Sequence, residues 1–410
     1  VTSGRKLERL GDGPEPQWLT DEAIGAVEVL EPPPFEPAEY DARMRRVCAR
    51  LTELDADALL VFRPSSVEYL CGYHTQETAP QPLLVTHEGA RLYVMDLEVG
   101  RALASSSADE IVYTGYDNTR DRDELVTAHV RRTLGTGGRL AVELQGATTP
   151  PAVIDRLRSL GLALVDGRFL VETLRLVLSP AELRCMEEAA RITALGLDAA
   201  VGAAREPAAT DSTVAAAIAA ALHREADSRS AWGPLVVSEP RAGVPHSTFR
   251  SEPLAAPGST FLEFAGTHHR YHAPVMRTVV RGRPSPVTLR LADRSRTALA
   301  AVLAHAKAGV ACSEVARRAR EALGPLEADE VFHWMFGYPV GLAHPPHWMD
   351  GAPFCLTADN PGLLQAGMTF HVPASFRSFG AQCVGLSQTF VVEPDGARAL
   401  THGAAELIEL

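Results

Sequence analysis

No run of eighteen apolar residues occurs in this 410-residue chain, so a membrane-spanning helix is not expected. The opening residues, VTSGRKLERLGDGPEPQW, lack the apolar core of a secretory signal, and the cytoplasm is the expected compartment. Lysine and arginine never gather into a block and the net charge is −12, which argues against nucleic acid or an anionic membrane as partner. The six cysteines, Cys48, Cys71, Cys185, Cys312, Cys355 and Cys383, lie far apart without a CxxC pair. That spacing excludes a zinc ribbon and fits reduced, mostly buried thiols. No internal repeat is evident, which excludes a solenoid. What is present is an apolar content of 46%, enough for two cores in a chain too long for one average domain.

Residues 1–37 are polar and then Pro-rich at EPPPFEP, a composition expected to give an arm or linker. An α/β domain is expected over 38–175. Met44, Val47, Leu51 and Leu54 recur at helical spacing, and ALLVF (58–62) follows as a short buried strand. RLYVMD, EIVYTG and LAVEL are further strands that alternate with helical stretches such as 151–160. From Ser179, SPAELRCMEEAARITALGLDAAV has an N-cap serine, Pro180 at the first helical position and Glu182 at the third. A second helix over 212–226 is followed by strands near 234–238, 260–265 and 271–280. Helices near 288–307 and 313–323 and strands at MTFHV and TFVVEPDG complete an α+β domain over 176–410.

Chemistry concentrates in FLEFAGTHHRYHAPVMRT, residues 261–278. A hairpin turning at His268–His269 pairs Phe264 with Ala273 and sets Glu263 opposite Pro274. A metal needs donors converging at about 2.0–2.2 Å, whereas His268 and His272, four apart on an extended strand, are separated by about 13 Å. The histidines are then solvated turn residues and cross-strand partners, or at least one of them, such as His272, lines a substrate pocket. GVPHST puts His246 in a loop, as an acid or base near neutral pH or as a structural histidine. GYPVGLAHPPHWMDG carries Tyr338, His344 and Trp348, the last as a stacking surface or a core residue. PGLLQAGMTFHVP adds His371 on a strand.

In this order these stretches resemble the pita-bread family that includes methionine aminopeptidase, prolidase, creatinase and ectoine hydrolase, over roughly residues 38–395. The resemblance implies an α/β N-terminal domain plus an α+β C-terminal pita-bread domain with a curved antiparallel sheet flanked by helices. The family's metal-binding members carry two Asp, one His and two Glu. This chain offers Glu263, Pro274, Tyr338, Val372 and Ser387 at those positions, so no metal and no cofactor is expected. RYHAPVMRTV, GYPVGLAHPPHW and AGMTFHVP resemble the metal-free branch of ectoine hydrolase and, more distantly, creatinase. Val384 and Ser387 stand where ectoine hydrolase keeps carboxylates, and GYHTQETAPQP (72–82) departs from the family's aromatic-bearing segment.

Carried over, the resemblance makes His246 general base and then acid, with Glu263 holding an amidinium, guanidinium or amine. Tyr338, His344 and His371 would line the same cavity, with His272 and Trp348 as further contacts, and Arg277 would bind a substrate carboxylate or partner Glu263. Family members are usually homodimers, so Gln76 and Glu77 are candidate contacts across an interface. The expected function is metal-independent hydrolysis of a C–N bond in a small nitrogen-containing metabolite. A lyase, isomerase or cyclisation catalyst of specialised metabolism on the same scaffold, and a non-catalytic binding protein, are the alternatives.

Overall fold

A computed structural model describes residues 5–410, which divide into two compact units on either side of the Leu174–Arg175 bond. The first unit is built on a seven-stranded sheet. Its order is Lys6–Leu10, Glu110–Thr114, Gly89–Met95, Leu83–Thr86, Ala58–Val61, Arg139–Val142 and Ala163–Asp166. Leu83–Thr86 runs antiparallel to both neighbours and the other pairings are parallel. The central Ala58–Val61 is buried throughout, as its unbroken apolar run requires. Helix Pro37–Glu53 turns Tyr40, Arg43, Val47 and Leu51 inward.

The N-terminal arm departs from expectation. Lys6–Leu10 joins the sheet edge alongside Glu110–Thr114, and Asp21–Val27 is a helix capped by the Thr20 hydroxyl. An edge strand is held chiefly by main-chain hydrogen bonds to its neighbour, which a compositional reading of its own side chains does not register.

The second unit opens on helix Pro180–Ala204. Ser179 Oγ accepts from the Glu182 amide while the Glu182 carboxylate accepts from the Ser179 amide, the reciprocal cap its sequence encodes. Helix Asp211–His223 packs beside it, and both cover one face of the hairpin Gly258–His268/Tyr271–Arg281 through Leu262, Phe264, Val275 and Val279. Phe261 and Met276 lie on the other face, against Val237, Ala242 and Cys383. Leu235–Ser238 extends this sheet, pairing Leu235 with Glu263.

The hairpin register corrects the sequence expectation. The turn is His269–Arg270, with φ of 46° and 58°, the left-handed pair of a type I′ turn, so Glu263 faces Met276 rather than Pro274. A slip of two residues leaves every side chain on its expected face. His268 and His272 therefore stand on opposite strands beside the turn, with His272 paired to Thr267. A further antiparallel set, Tyr338–Pro339, Thr369–Val372 and Gln388–Val392, and the pair Ser375–Ser378/Gln382–Gly385 complete the sheet region. Helices Pro286–His305 and Cys312–Leu323 share a core with it that includes Phe370, Phe376 and Phe390.

Hairpin and helix are locked at Gly266. Its amide donates to Thr193 Oγ1 at 2.9 Å, and the same hydroxyl donates to the Ala273 carbonyl at 2.7 Å. A Cβ on Gly266 would fall 2.7 Å from the Ala189 carbonyl oxygen, against helix backbone that cannot yield. Gly266→Ala is expected to destabilise the second unit by about 2 kcal/mol or more, read by denaturant unfolding.

Candidate active site

On the hairpin face opposite the helices lies a cavity of about 190 Å³. Glu263 and Met276 form its floor, Tyr338, Phe332, His333 and Met335 one side, and Pro373, Ser375 and Arg377 another. Trp232, Pro245, His246, His347 and Met349 stand at the remaining wall. These segments are remote in sequence, and strand pairing brings them together.

Glu263 is 5% exposed, and no hydrogen bond to its carboxylate is present among the described residues. Burial pushes its pKa up to about 7, and the Arg377 guanidinium opposes that rise without cancelling it. The group thus changes charge where general acid–base catalysis near neutral pH is most effective.

His246 is held at the cavity by a braced loop. Arg241 pairs with Asp211 and Glu252, each at 2.7 Å, and donates to the Thr248 carbonyl, while the Gly243 carbonyl accepts from the Gly380 amide. His246 itself is exposed and has φ of 61°, a left-handed conformation unusual for histidine. Its ring meets Trp232 edge-on at 5.3 Å, and His347 lies over the same indole at 4.4 Å. Burial and the neighbouring His246 lower the His347 pKa to about 4, and His347 Nδ1 accepts from the Met349 amide. His347 is therefore a neutral imidazole whose Nε2 carries the proton.

Behind the cavity runs a closed hydrogen-bond chain. Trp348 Nε1 donates to the Tyr338 hydroxyl at 2.9 Å, Tyr338 lies 2.7 Å from His371 Nδ1, and His371 Nε2 lies 2.8 Å from Ser387 Oγ. Ser387 Oγ also accepts from the Met276 amide. Burial lowers the His371 pKa to about 3, so this ring is neutral and carries one proton. If Ser387 donates to Nε2, His371 donates to Tyr338 and the phenol proton is left for the cavity. The reverse direction strands the Ser387 proton in a fully buried position, at a cost of about 1–3 kcal/mol. Burial raises the Tyr338 pKa well above its usual value, so it is a donor and not a phenolate.

The structure thus gathers three of the sequence-derived candidates, His246, Glu263 and Tyr338, around one cavity, with Trp348 and His371 immediately behind Tyr338. Three others are absent from its lining. Arg277 is buried and donates to the carbonyls of Met276, Ser387 and His402. His272 is fully buried between the Ala231 amide and the Arg270 carbonyl, and burial lowers its pKa to about 4. His344 is also buried, and its amide donates to Asp350. Gln76 and Glu77 belong to the first unit, where the Glu77 carboxylate accepts from the Thr78 and Ala79 amides. Arg377, His347, His333 and Trp232 line the cavity without having been singled out. HPPHW did contain a second histidine, but ASFRS gave no local signal.

Of the five positions that the resemblance sets against metal ligands, only Glu263 supplies a carboxylate. The Tyr338 oxygen already faces Trp348 and His371, Ser387 Oγ faces His371 and the Met276 amide, and Pro274 and Val372 have no side-chain donor. Among the described residues no group of three His, Cys, Asp or Glu converges to hold a metal ion. The donors present do not fit a dinuclear centre.

A two-stranded hairpin backed by paired helices, with a cavity on its open face and a separate mixed-sheet domain preceding it, defines a pita-bread protein with a creatinase-type N-terminal domain. The chain belongs to metallopeptidase family M24, which matches residues 184–394, and residues 43–177 match the creatinase/prolidase N-terminal domain. It is 28% identical over 399 residues to an uncharacterised hydrolase/peptidase of Sinorhizobium fredii, covering 91% of this chain and 98% of that one. It is 26% identical over 358 residues to the ectoine hydrolase of Halomonas elongata, covering 82% and 89% respectively. The Xaa-Pro dipeptidase structure from Bacillus anthracis superposes with a TM-score of 0.77 at 20% identity, covering 90% of this chain and all of that one. The family is one of hydrolases and peptidases, and among the described residues no helix is long and apolar enough to cross a membrane.

Proposed function

We propose that this protein is a metal-independent hydrolase that cleaves a C–N bond of a small nitrogen-containing metabolite such as a cyclic amidine, a guanidino compound or an amide. The observation that carries the reading is Glu263, a buried carboxylate without a hydrogen-bond partner among the described residues, on the floor of a cavity faced by His246. A carboxylate in that setting is costly unless a ligand completes it, and a cationic amidinium or guanidinium is the natural complement.

Glu263 holds the nitrogen cation and orients the carbon to be attacked. His246, at the solvent-facing wall, takes a proton from water as it adds to that carbon, then delivers it to the departing nitrogen. The Tyr338 proton, presented by the chain from Ser387, stabilises charge that develops at the tetrahedral carbon. Trp232 and the three methionines Met276, Met335 and Met349 give the cavity apolar surface that strengthens these polar contacts. A homodimer, with Gln76 and Glu77 reaching a neighbour's site, belongs to the same proposal.

Turnover of a hit from a panel of cyclic amidines, guanidines and amides, run in ¹⁸O-labelled water, tests the reaction type. Hydrolysis places the label in the product. Product formed without label would favour the lyase or isomerase reading, for which the missing carboxylates at Val384 and Ser387 speak.

A further inference from the structure

His272, a pocket residue by its sequence context, lies away from the cavity and yet joins two segments of its wall. Its ring is fully buried, with Nε2 at 2.8 Å from the Ala231 amide nitrogen and Nδ1 at 2.7 Å from the Arg270 carbonyl oxygen. An amide only donates and a carbonyl only accepts, so Nε2 is the bare acceptor, Nδ1 carries the proton, and the ring is neutral in a single tautomer. Burial, which lowers its pKa to about 4, keeps that form at neutral pH. The His272 amide in turn donates to the Gly341 carbonyl at 3.0 Å. One residue thus ties the segments 228–232 and 338–350 to the end of the hairpin.

Those are the segments whose rings meet at the cavity. Trp232 follows Ala231 directly, and its indole lies 5.3 Å from the His246 ring, 4.4 Å from His347 and 5.3 Å from Trp348. Among the described residues, no hydrogen bond between main-chain groups joins residues 229–233 to another segment. The Ala231 amide, itself on a buried residue, finds its acceptor on the His272 ring instead. Without that acceptor a buried donor is left unpaired, and the segment gains by shifting until the amide meets water.

We infer that His272 is a positioning residue: through the Ala231 amide it sets Trp232, and through Trp232 the imidazoles of His246 and His347 at the cavity wall. A small displacement suffices, because misplacing a reacting group by about 1 Å costs about 10²-fold in rate. The kinetic consequence rests on the proposed role of His246 as general base, whereas the placement of the rings does not.

The test compares variants of the full chain. His272→Leu removes the acceptor, His272→Gln keeps a carbonyl acceptor near the place of Nε2, and Ala231→Pro removes the donor while leaving His272 intact. Far-UV spectra and melting profiles report folding. Histidine labelled with ¹³C at Cε1 lets NMR follow His246 and His347, assigned through His246→Asn and His347→Asn, and Trp232→Leu marks where both resonances fall without the indole's ring current. In His272→Leu and Ala231→Pro both resonances are expected to move toward their Trp232→Leu positions, and in His272→Gln to stay near wild type. On a substrate found in the panel, His272→Leu is expected to lower kcat about 10- to 100-fold with a smaller change in KM, and to add little in the Trp232→Leu background, because the two residues act in series. Wild-type ¹⁵N shifts are expected to show His272 protonated at Nδ1 and bare at Nε2, and the opposite tautomer overturns the inference whatever the variants do. Resonances that keep their wild-type positions in whichever of His272→Leu and Ala231→Pro folds, or effects of His272→Leu and Trp232→Leu on kcat that simply multiply, overturn it as well. Displaced resonances in a protein that hydrolyses no member of the panel count against the hydrolase reading and support this one.

Discussion

Glu263→Gln is expected to abolish most activity while making the protein more stable at pH 8. A carboxylate in the unfolded chain has a pKa near its ordinary 4.5, whereas burial holds folded Glu263 near 7. Folding therefore takes up a proton between those values, stability falls as pH rises through that window, and the penalty is complete above about 7. Its full size is about 3 kcal/mol, and the neutral glutamine escapes most of it. The expected melting temperature of the variant is higher than wild type by roughly 4–8 °C at pH 8 and nearly equal at pH 5. Glu143 in the first unit is likewise raised to about 7 by burial and the nearby Glu172, so wild-type stability alone mixes two groups. The difference between variant and wild type isolates Glu263. Activity is expected to fall at least about 100-fold, because the amide cannot pair with a cation. A variant that is active, or no more stable at pH 8, contradicts the assignment.

His246→Ala is expected to lower kcat by about 10²- to 10⁴-fold with little change in melting temperature, since the side chain is exposed and packs through its ring contact with Trp232. The left-handed backbone offers a second reading of the same residue. His246→Gly relieves the strain at φ of 61° and is expected to stabilise the loop by about 1 kcal/mol while losing the same activity. Retention of more than about a tenth of wild-type turnover in either variant would remove His246 from the mechanism.

Much of the fold is written locally in the chain. The Ser179 cap, the buried run at 58–62 and the alternation in the 261–278 stretch all specify their elements without help from afar. The hairpin turn is less legible, because His269–Arg270 carries none of the Asn or Gly that usually marks two left-handed residues. Resemblance singled out His246 and Glu263, and the fold places both at one cavity. Strand parity already argued against Arg277 as partner to Glu263: residues 274 and 276 share the Glu263 face, and 277 points away. Nothing local pointed to Arg377, since its place is set by pairing of Ser375–Ser378 with strands on either side. His347 and Trp232 were equally hidden, being joined at the cavity wall by loops more than 100 residues apart.

Glu263 and His246 are proposed to work without a metal. That proposal is tested most directly by elemental mass spectrometry of the purified protein before and after incubation with Mn²⁺, Co²⁺ and Zn²⁺ followed by desalting. With one carboxylate left of five ligand positions, the account predicts less than about a tenth of an equivalent per chain throughout. One or two tightly retained equivalents, lost together with activity on chelation, would contradict it.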